Sequence, residues 1–410
     1  MADQSQELLV QSDLRPAYYD SFHCLAADCR YTCCKGWTVC FDKKDYLRLK
    51  QLKCSPELDA TLKGCLRRLK KGSLAERFYG EFDMTGGSCP MWREDGLCSL
   101  QLEQGHDALP HVCRMFPREE GYQPSGYLER SLSPACEGVL ELLWNLPEGV
   151  DFTSDPLPRE GWKKTSWEEF AGLYPQFQDI RSQCIDFLQD RRYALPQRIL
   201  LMGLVLKELA DGERDIPSWL FRAQALADDP ETARLLCGID GGDGLPMFLT
   251  NNVKVLLRLC DPDGEFANVP NELCDALKCE YREETGRLVV PVGAYLTART
   301  RYGEQFAGRE YFMENLMVTL FFHLHMPELD SGEELWKSYV QFCNLYSFYR
   351  FMAVMSCREG VEDTKAELFR LMVCASRSLI HSETRREQLR DELFQNDSTT
   401  LAHMAILLGG

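Results

Sequence analysis

The chain has 410 residues, of which 46 are basic and 63 acidic, and its formal net charge is −17. This acidic balance argues against nucleic acid and against an anionic membrane surface as partners. A hydrophobic content of 45% predicts a folded globular protein rather than a disordered one.

The N-terminal third is rich in Cys, Gly and Pro, and it predicts short elements joined by turns. TVCFD is expected to form a strand, and two helices are expected to follow it in DKKDYLRLKQL and SPELDATLKGCLRRLKK. Ser55 suits the N-cap of the second helix, and Pro56 suits its first position.

The stretch from Gly80 to Gly126 is punctuated by Gly and Pro, which predicts loops with a tight turn at Asp95–Gly96. After it, SPACEGVLELLWNL predicts a helix that leads out of the cysteine-rich part. Acidic residues and prolines near 147–161 are typical of a linker.

Beyond the linker, apolar residues recur at spacings of three and four, which predicts amphipathic helices. Long helical stretches are expected at Arg299–Met326 and Glu333–Cys357. RLVVPVG is expected to be a lone strand or an extended connector. The glycines of 238–246 join two helical patterns, so we interpret them as a loop rather than a dinucleotide-type turn.

These elements predict a mainly α protein with two parts. An irregular, cysteine-rich metal-binding module is expected over residues 1–150, and an α-helical module over residues 151–410. No run of the sequence approaches the roughly 18 to 20 apolar residues that a membrane-spanning helix needs. The first residues lack the basic and apolar regions of a signal peptide. We therefore expect a cytoplasmic protein, in which thiols are kept reduced.

Eight of the cysteines before residue 137 form a two-part pattern. The first part comprises Cys24, Cys29, Cys33 and Cys34, and the second comprises Cys89, Cys98, Cys113 and Cys136. Reduced thiols at short spacings favour metal binding over disulfides, and also over eight buried structural thiols. Zinc and iron–sulfur clusters both accept four thiolates, so the residues predict a metal without choosing between them. Which cysteines bind, and whether they form one centre or two, stays open.

Several neighbours of the cysteine pattern are candidate contributors to the metal site. Gly36 lets the backbone pass close to a metal, and the Trp37 indole would exclude water from it. His23, His106 and His111 are interpreted as neighbours of the cysteines in preference to additional ligands. Cysteines after residue 136 lie singly on apolar faces, which predicts core packing.

The cysteine pattern also carries a family resemblance. Three segments within about residues 18–145 resemble the flagellin lysine-N-methylase family. They are YYDSFHCLAADCRYTCCKGWTVCFDKKDY, CPMWREDGLCSLQLEQGHDALPHVCRMFPRE and LERSLSPACE. That family lies within a wider group of cysteine-rich proteins described as zinc- or iron-chelating. The resemblance implies an iron–sulfur cluster, [4Fe–4S] in preference to zinc, held by some of the eight cysteines. It also implies S-adenosylmethionine as methyl donor and flagellin as protein partner.

Three further cysteines, Cys40, Cys54 and Cys65, lie outside the family's pattern and are interpreted as packing residues. The C-x3-C-x2-C spacing of radical enzymes is not met, because Cys34 follows Cys33 directly. No glycine-rich turn predicts a methyl-donor site. A second hypothesis therefore stands beside the enzyme: a non-catalytic zinc- or iron-binding adaptor or chaperone.

Methyl transfer to lysine requires a base, because the ammonium group has a pKa near 10. Candidates that flank the cysteines are Tyr18, Tyr19, Glu94, Asp95 and Glu119. Such residues are more often packing or surface groups, so none is assigned a catalytic role.

Overall fold

The computed structural model describes most of the chain. The described residues are 7–36, 38–71, 76–84, 86–122, 126–158, 163–166, 176–237, 244–259, 266–283 and 287–410. Within them the fold is mainly α, as the sequence predicts. Trp37 and most of the glycine-rich run at 238–246 lie outside the described residues.

The described strands are short and form four small sheets. In chain order they are Glu7–Val10 (β1), Ser12–Pro16 (β2), Cys40–Phe41 (β3), Leu66–Arg68 (β4), Gly80–Phe82 (β5), Arg118–Tyr122 (β6), Tyr127–Leu132 (β7), Phe152–Thr153 (β8), Lys163–Ser166 (β9), Glu280–Arg282 (β10) and Arg287–Val289 (β11). The largest sheet has the order β6-β7-β2-β8, in which only β2 and β7 are parallel neighbours. The order β3-β5-β4 makes an antiparallel sheet, and β1–β9 and β10–β11 are antiparallel pairs.

Strand pairing corrects three of the sequence predictions. RLVVPVG is not a lone strand, because β11 pairs with β10. The expected second helix ends at Cys65, and the residues after it continue as β4 against β5. The stretch 80–126 is only partly loop, since it contains β5, β6 and two short helices. Strand pairing joins residues far apart in sequence, so the local pattern of Gly and Pro residues does not predict it.

The α-helices make up most of the described structure. In chain order they are Lys43–Lys50 (α1), Pro56–Cys65 (α2), Ser99–Gln104 (α3), His111–Met115 (α4), Glu137–Trp144 (α5), Phe177–Gln189 (α6), Leu195–Ala210 (α7), Ile216–Asp228 (α8), Pro230–Cys237 (α9), Leu245–Arg258 (α10), Val269–Leu277 (α11), Val292–Gln305 (α12), Tyr311–His323 (α13), Gly332–Met355 (α14), Thr364–Leu379 (α15), Glu383–Gln395 (α16) and Leu401–Leu408 (α17). No helix in the described part of the chain combines the length and apolar character that crossing a bilayer requires.

Helix starts follow the local signals in the sequence. The Ser55 hydroxyl accepts the backbone N–H of Leu58 at 3.3 Å, and Pro56 begins α2 as predicted. The expected long stretch at 299–326 divides into α12 and α13. Gly308 lies in this break with a φ of +75°, a left-handed conformation that ends helices.

Two hydrophobic cores organise the molecule. The helical core packs α6 to α17 around large buried side chains such as Trp219, Phe248 and Tyr339. It also takes in Tyr18 and the apolar face of α5. A much smaller core, the small core, gathers apolar residues of α1 to α3, β3 and β5. The division at residue 150 stays a prediction, although α5, which precedes it, packs in the helical core.

Candidate metal centre

The structure brings all eight cysteines of the sequence pattern to one cavity. They are Cys24, Cys29, Cys33, Cys34, Cys89, Cys98, Cys113 and Cys136. The cavity has a volume of about 430 Å³ and lies between the two cores, with Phe22 of the helical core on one wall and Met91 of the small core on another. One water molecule occupies about 30 Å³ in the liquid, so the cavity holds far more than a single ion.

Backbone pairing holds the segments that carry Cys34, Cys89 and Cys98. The N–H of Cys89 donates to the carbonyl oxygen of Cys34 at 2.7 Å. Trp92 and Cys98 form a β-bridge across the predicted turn, where Gly96 has a φ of +80°. The turn therefore returns the chain so that Cys98 comes back beside the segment that carries Cys89.

Glu137 anchors the loop that carries Cys29. Its carboxylate is 1% exposed and accepts the backbone N–H groups of Arg30 at 2.7 Å and Tyr31 at 3.2 Å. Arg30 Nε donates to it as well, at 2.5 Å. Because Glu137 directly follows Cys136, this contact fixes Cys29 and Cys136 relative to each other. Local sequence does not predict this role, because Glu137 accepts backbone N–H groups that lie 107 and 106 positions earlier in the chain.

Helix α15 of the helical core holds the same loop from the opposite side. Arg377 donates to the carbonyl oxygens of Tyr31 at 2.6 Å and Thr32 at 3.1 Å. The Tyr31 hydroxyl donates to the carbonyl oxygen of Ala366 at 3.1 Å. These contacts join residues more than 300 positions apart, so no local sequence signal predicts them. The helical core thereby positions the first group of cysteines.

Burial controls the protonation of the thiols. It raises the pKa of Cys29 and of Cys89 to about 12 and that of Cys136 to about 11. Backbone N–H groups, such as that of Val139 beside Cys136, act in the opposite direction but do not offset burial. Near neutral pH these thiols keep their protons unless a cation binds, so metal binding must release protons.

Cys33 and Cys34 form a hydrogen-bonded pair in the cavity lining. The hydrogen bond that Cys33 donates lowers the pKa of Cys34, and the positive charge of Arg377 adds to this effect. The same hydrogen bond raises the pKa of Cys33. Cys34 is therefore the member of the pair that ionises first.

Two arginines give the lining positive charge. Arg118 donates to the carbonyl oxygen of Phe22 at 3.2 Å, whereas Nε of Arg114 is buried without a hydrogen-bond partner among the described residues. In the described ranges, no three His, Cys, Asp or Glu side chains are arranged to chelate one ion. Soft thiol donors, an unpaired N–H donor and this volume together fit an anionic, thiolate-bound group that is larger than one ion.

Of the three histidines near the pattern, His106 lines the cavity and has a 60% exposed side chain at its rim. His23 is exposed, and its Nδ1 lies 2.9 Å from the carbonyl oxygen of Ser21. His111 donates its backbone N–H to Asp45. The structure therefore places one imidazole, not three, at the cavity.

The five candidate bases that flank the cysteines in sequence are absent from the cavity lining. Tyr18 is buried in the helical core with its hydroxyl 2.8 Å from Thr319 Oγ1. Tyr19 is packed in the same core, and Asp95 pairs with Arg93 at 2.6 Å. Glu119 follows Arg118 on β6, and its carboxylate lies 3.7 Å from His323 Nε2. Since successive strand residues point to opposite faces, Glu119 is turned from the cavity that Arg118 lines.

Comparison with known proteins connects this chain to enzymes of lysine methylation. A family model described as the FliB lysine N-methylase C-terminal domain matches residues 181–407. The chain is 33% identical over 144 residues to the lysine-N-methylase of Salmonella typhimurium, and this match covers 33% of each protein. It is also 33% identical over 181 residues to the flagellar biosynthetic protein FliU of Salmonella muenchen, covering 42% of this chain and 95% of that protein. No solved structure matches.

Proposed function

The chain belongs to the FliB lysine N-methylase family, and on this basis we propose that it N-methylates lysine side chains of flagellin. The family model covers more than half of the chain. One relative is named a flagellar biosynthetic protein, which supports a flagellar substrate. The match to the curated lysine-N-methylase spans 33% of that protein, so activity and substrate both belong to the proposal.

The proposed cofactors are an iron–sulfur cluster bound by cavity cysteines and S-adenosylmethionine as methyl donor. The observation that carries the cluster is the convergence of all eight pattern cysteines on one cavity of about 430 Å³. This volume lies within the range of about 300 to 1,000 Å³ that small-molecule sites occupy. When bound, an iron–sulfur cluster supplies Lewis-acidic iron and a redox couple that its surroundings tune.

The residues of the chain prepare the cavity for these groups. The cavity thiols would hold the metal as thiolates, and the apolar wall around Phe22 and Leu100 excludes water. Arg114 and Arg118 offset the negative charge of thiolates. The unpaired Nε–H of Arg114 also suits a carboxylate such as that of S-adenosylmethionine.

The transfer itself moves a methyl group from the donor sulfonium to the lysine nitrogen. The C–S bond breaks as the C–N bond forms, and the sulfonium becomes a neutral thioether. Lysine reacts as the neutral amine, so its ammonium group must first lose a proton. The imidazole of His106, which lies at the cavity rim, is the proposed acceptor of that proton.

Co-expression with flagellin followed by mass spectrometry of the flagellin lysines tests the activity. We expect methylated lysines with the wild-type protein and a loss of at least about tenfold with Cys98→Ser. Cys184→Ser is the matched control, because Cys184 is buried in the helical core. Unmodified flagellin beside intact, metal-loaded protein would contradict the enzyme proposal and favour a non-catalytic adaptor.

A further inference from the structure

Cys274 and Cys279 are two thiols that pack against the helical core, outside the cavity of the candidate metal centre. We propose that they form a redox modification site, at which a hydroperoxide oxidises the two thiols to one disulfide. The sequence predicts that each packs singly, but the structure places them in contact. The inference goes beyond the proposed function, because it involves neither the cavity thiols nor methyl transfer.

The C-terminal end of α11 brings the two cysteines together. Lys278 follows the helix in a left-handed conformation, with a φ of +57°. Its N–H donates to the carbonyl oxygen of Asp275 at 3.0 Å, and the N–H of Cys279 donates to that of Cys274 at 2.9 Å. These two bonds form a Schellman motif, in which the residue after the left-handed position commonly packs against the last turn of the helix. That contact is usually apolar, whereas here it consists of two thiols.

The same backbone hydrogen bond limits how far apart the two residues can lie. With 2.9 Å between the nitrogen of Cys279 and the carbonyl oxygen of Cys274, standard bond lengths keep the two Cα atoms within roughly 6.8 Å. Disulfides join residues whose Cα atoms are about 4.4 to 6.8 Å apart. The turn can therefore accept the disulfide without rearrangement of the helix.

A hydrogen bond between the thiols makes them unequal. The Cys279 thiol donates to the sulfur of Cys274, which lowers the pKa of Cys274 and raises that of Cys279. Cys274 is therefore the thiol that ionises first and attacks an oxidant. Both cysteines are only half-buried, so a molecule as small as hydrogen peroxide can reach them. Cys343 and Cys374, by contrast, are buried in the helical core.

The reaction balances with hydrogen peroxide as the oxidant. The Cys274 thiolate attacks one peroxide oxygen, so that an S–O bond forms, the O–O bond breaks, and the departing hydroxide leaves as water after taking a proton. The Cys279 sulfur then attacks the sulfenic acid on Cys274, so that the S–S bond forms, the S–O bond breaks and a second water leaves. The two thiols lose two electrons and two protons in total. A dithiol reductant restores them by thiol–disulfide exchange.

The disulfide would join two elements that otherwise meet through one turn. Cys279 directly precedes β10, which pairs with β11 in an antiparallel hairpin. Oxidation therefore ties the start of this hairpin covalently to the last turn of α11. We expect hydrogen exchange at the Cys279 amide to slow by at least about threefold on oxidation, because the disulfide restrains opening of the turn.

Mass spectrometry of the full-length chain, purified without oxygen, tests the pairing. The protein is treated with hydrogen peroxide, its remaining thiols are alkylated, and it is digested with trypsin. Cleavage after Lys278 separates residues 259–278 from residues 279–282. We expect a disulfide between these peptides that disappears after treatment with dithiothreitol. Because the first peptide also contains Cys260, Cys260→Ser is the matched control and should keep the link, whereas Cys274→Ser should lose it.

The wild-type protein decides the result even where a variant fails to fold. Two thiols that stay open to alkylation, or that oxidise separately to sulfinic acids, would overturn the proposal, and so would a link from Cys279 to Cys260. Limited alkylation of the reduced protein at neutral pH should modify Cys274 at least about threefold faster than Cys279. The reverse order would contradict the attack by Cys274. Methylation of flagellin is measured separately, so failure of either proposal leaves the other standing.

Discussion

The two cores of this molecule are stabilised by different physical means. Helix α14 of the helical core is 24 residues long and buried along most of its length. The small core rests on α1, α2 and α3, none longer than ten residues, and on strands of two or three residues. Short helices are marginal alone, and small domains often need metals to fold. We infer that the small core depends on the ligands that its cysteines bind.

Buried polar groups show the same difference. In the helical core, the Glu129 carboxylate accepts two hydrogen bonds from Arg181, at 2.5 and 2.9 Å, so its charge is compensated by protein partners. In the small core, burial raises the pKa of Cys89 and Cys113, and the neighbouring thiols raise it further. The buried charge of the helical core is paired with a protein side chain, whereas the buried thiols of the small core are ligands that suit a bound cation.

Removal of the metal should produce the largest difference between the regions. Structural zinc sites contribute about 10 to 16 kcal/mol in small domains, more than a core of this size supplies. Treatment with a strong chelator should therefore open the small core while α14 stays folded. Hydrogen exchange should show rapid exchange at Leu100 and its neighbours and unchanged protection at Phe348 of α14. Equal protection in both cores before and after chelation would refute this dependence.

Removal of one partner of the buried ion pair should affect only the helical core. Arg181→Met leaves the Glu129 carboxylate buried without its main partner, which costs about 3 to 5 kcal/mol. Urea unfolding monitored by helical content measures this loss, and the metal content should not change. Lys63→Met is the control, because Lys63 and Asp59 form an exposed pair. A compensating Glu129→Leu substitution should recover much of the loss, and failure to recover it would indicate that packing, not charge, was lost.

How far the sequence predicts this arrangement depends on the distance over which each contact acts. The start of α2 is set within four residues by Ser55 and Pro56, and the sequence predicts it. The eight cysteines stand out because thiols at short spacings are rare in a reduced protein. Their convergence on one cavity is hidden, since Cys34 meets Cys89 only through pairing of distant backbone segments. Arg377, which fixes the cysteine loop from α15, is hidden for the same reason.

Lowering the pH should also distinguish the helical core from the cysteine-lined cavity, although the expected change in stability is smaller than in the preceding predictions. Burial alone would raise the pKa of Glu129, but the charge of Arg181 and the hydrogen bond with His325 outweigh it and hold the pKa at about 2. An unfolded glutamate has a pKa near 4.3, so the ionised carboxylate stabilises the fold above that pH. This stability, about 3 kcal/mol, is lost as the pH falls from about 4.3 to about 2.

The cavity thiols bind protons at a much higher pH than the Glu129 carboxylate does. Their pKa values are raised by burial, to about 12 for Cys29 and about 11 for Cys136, so protons compete with the metal well above pH 4. A downward titration followed by metal release and by helical content should therefore show metal loss first. Unfolding of the helical core should follow below about pH 4, where an unfolded glutamate binds a proton while the folded Glu129, with a pKa of about 2, stays ionised. Coincident loss of metal and helix would mean that the helical core also depends on the metal, and that the two regions are not stabilised separately.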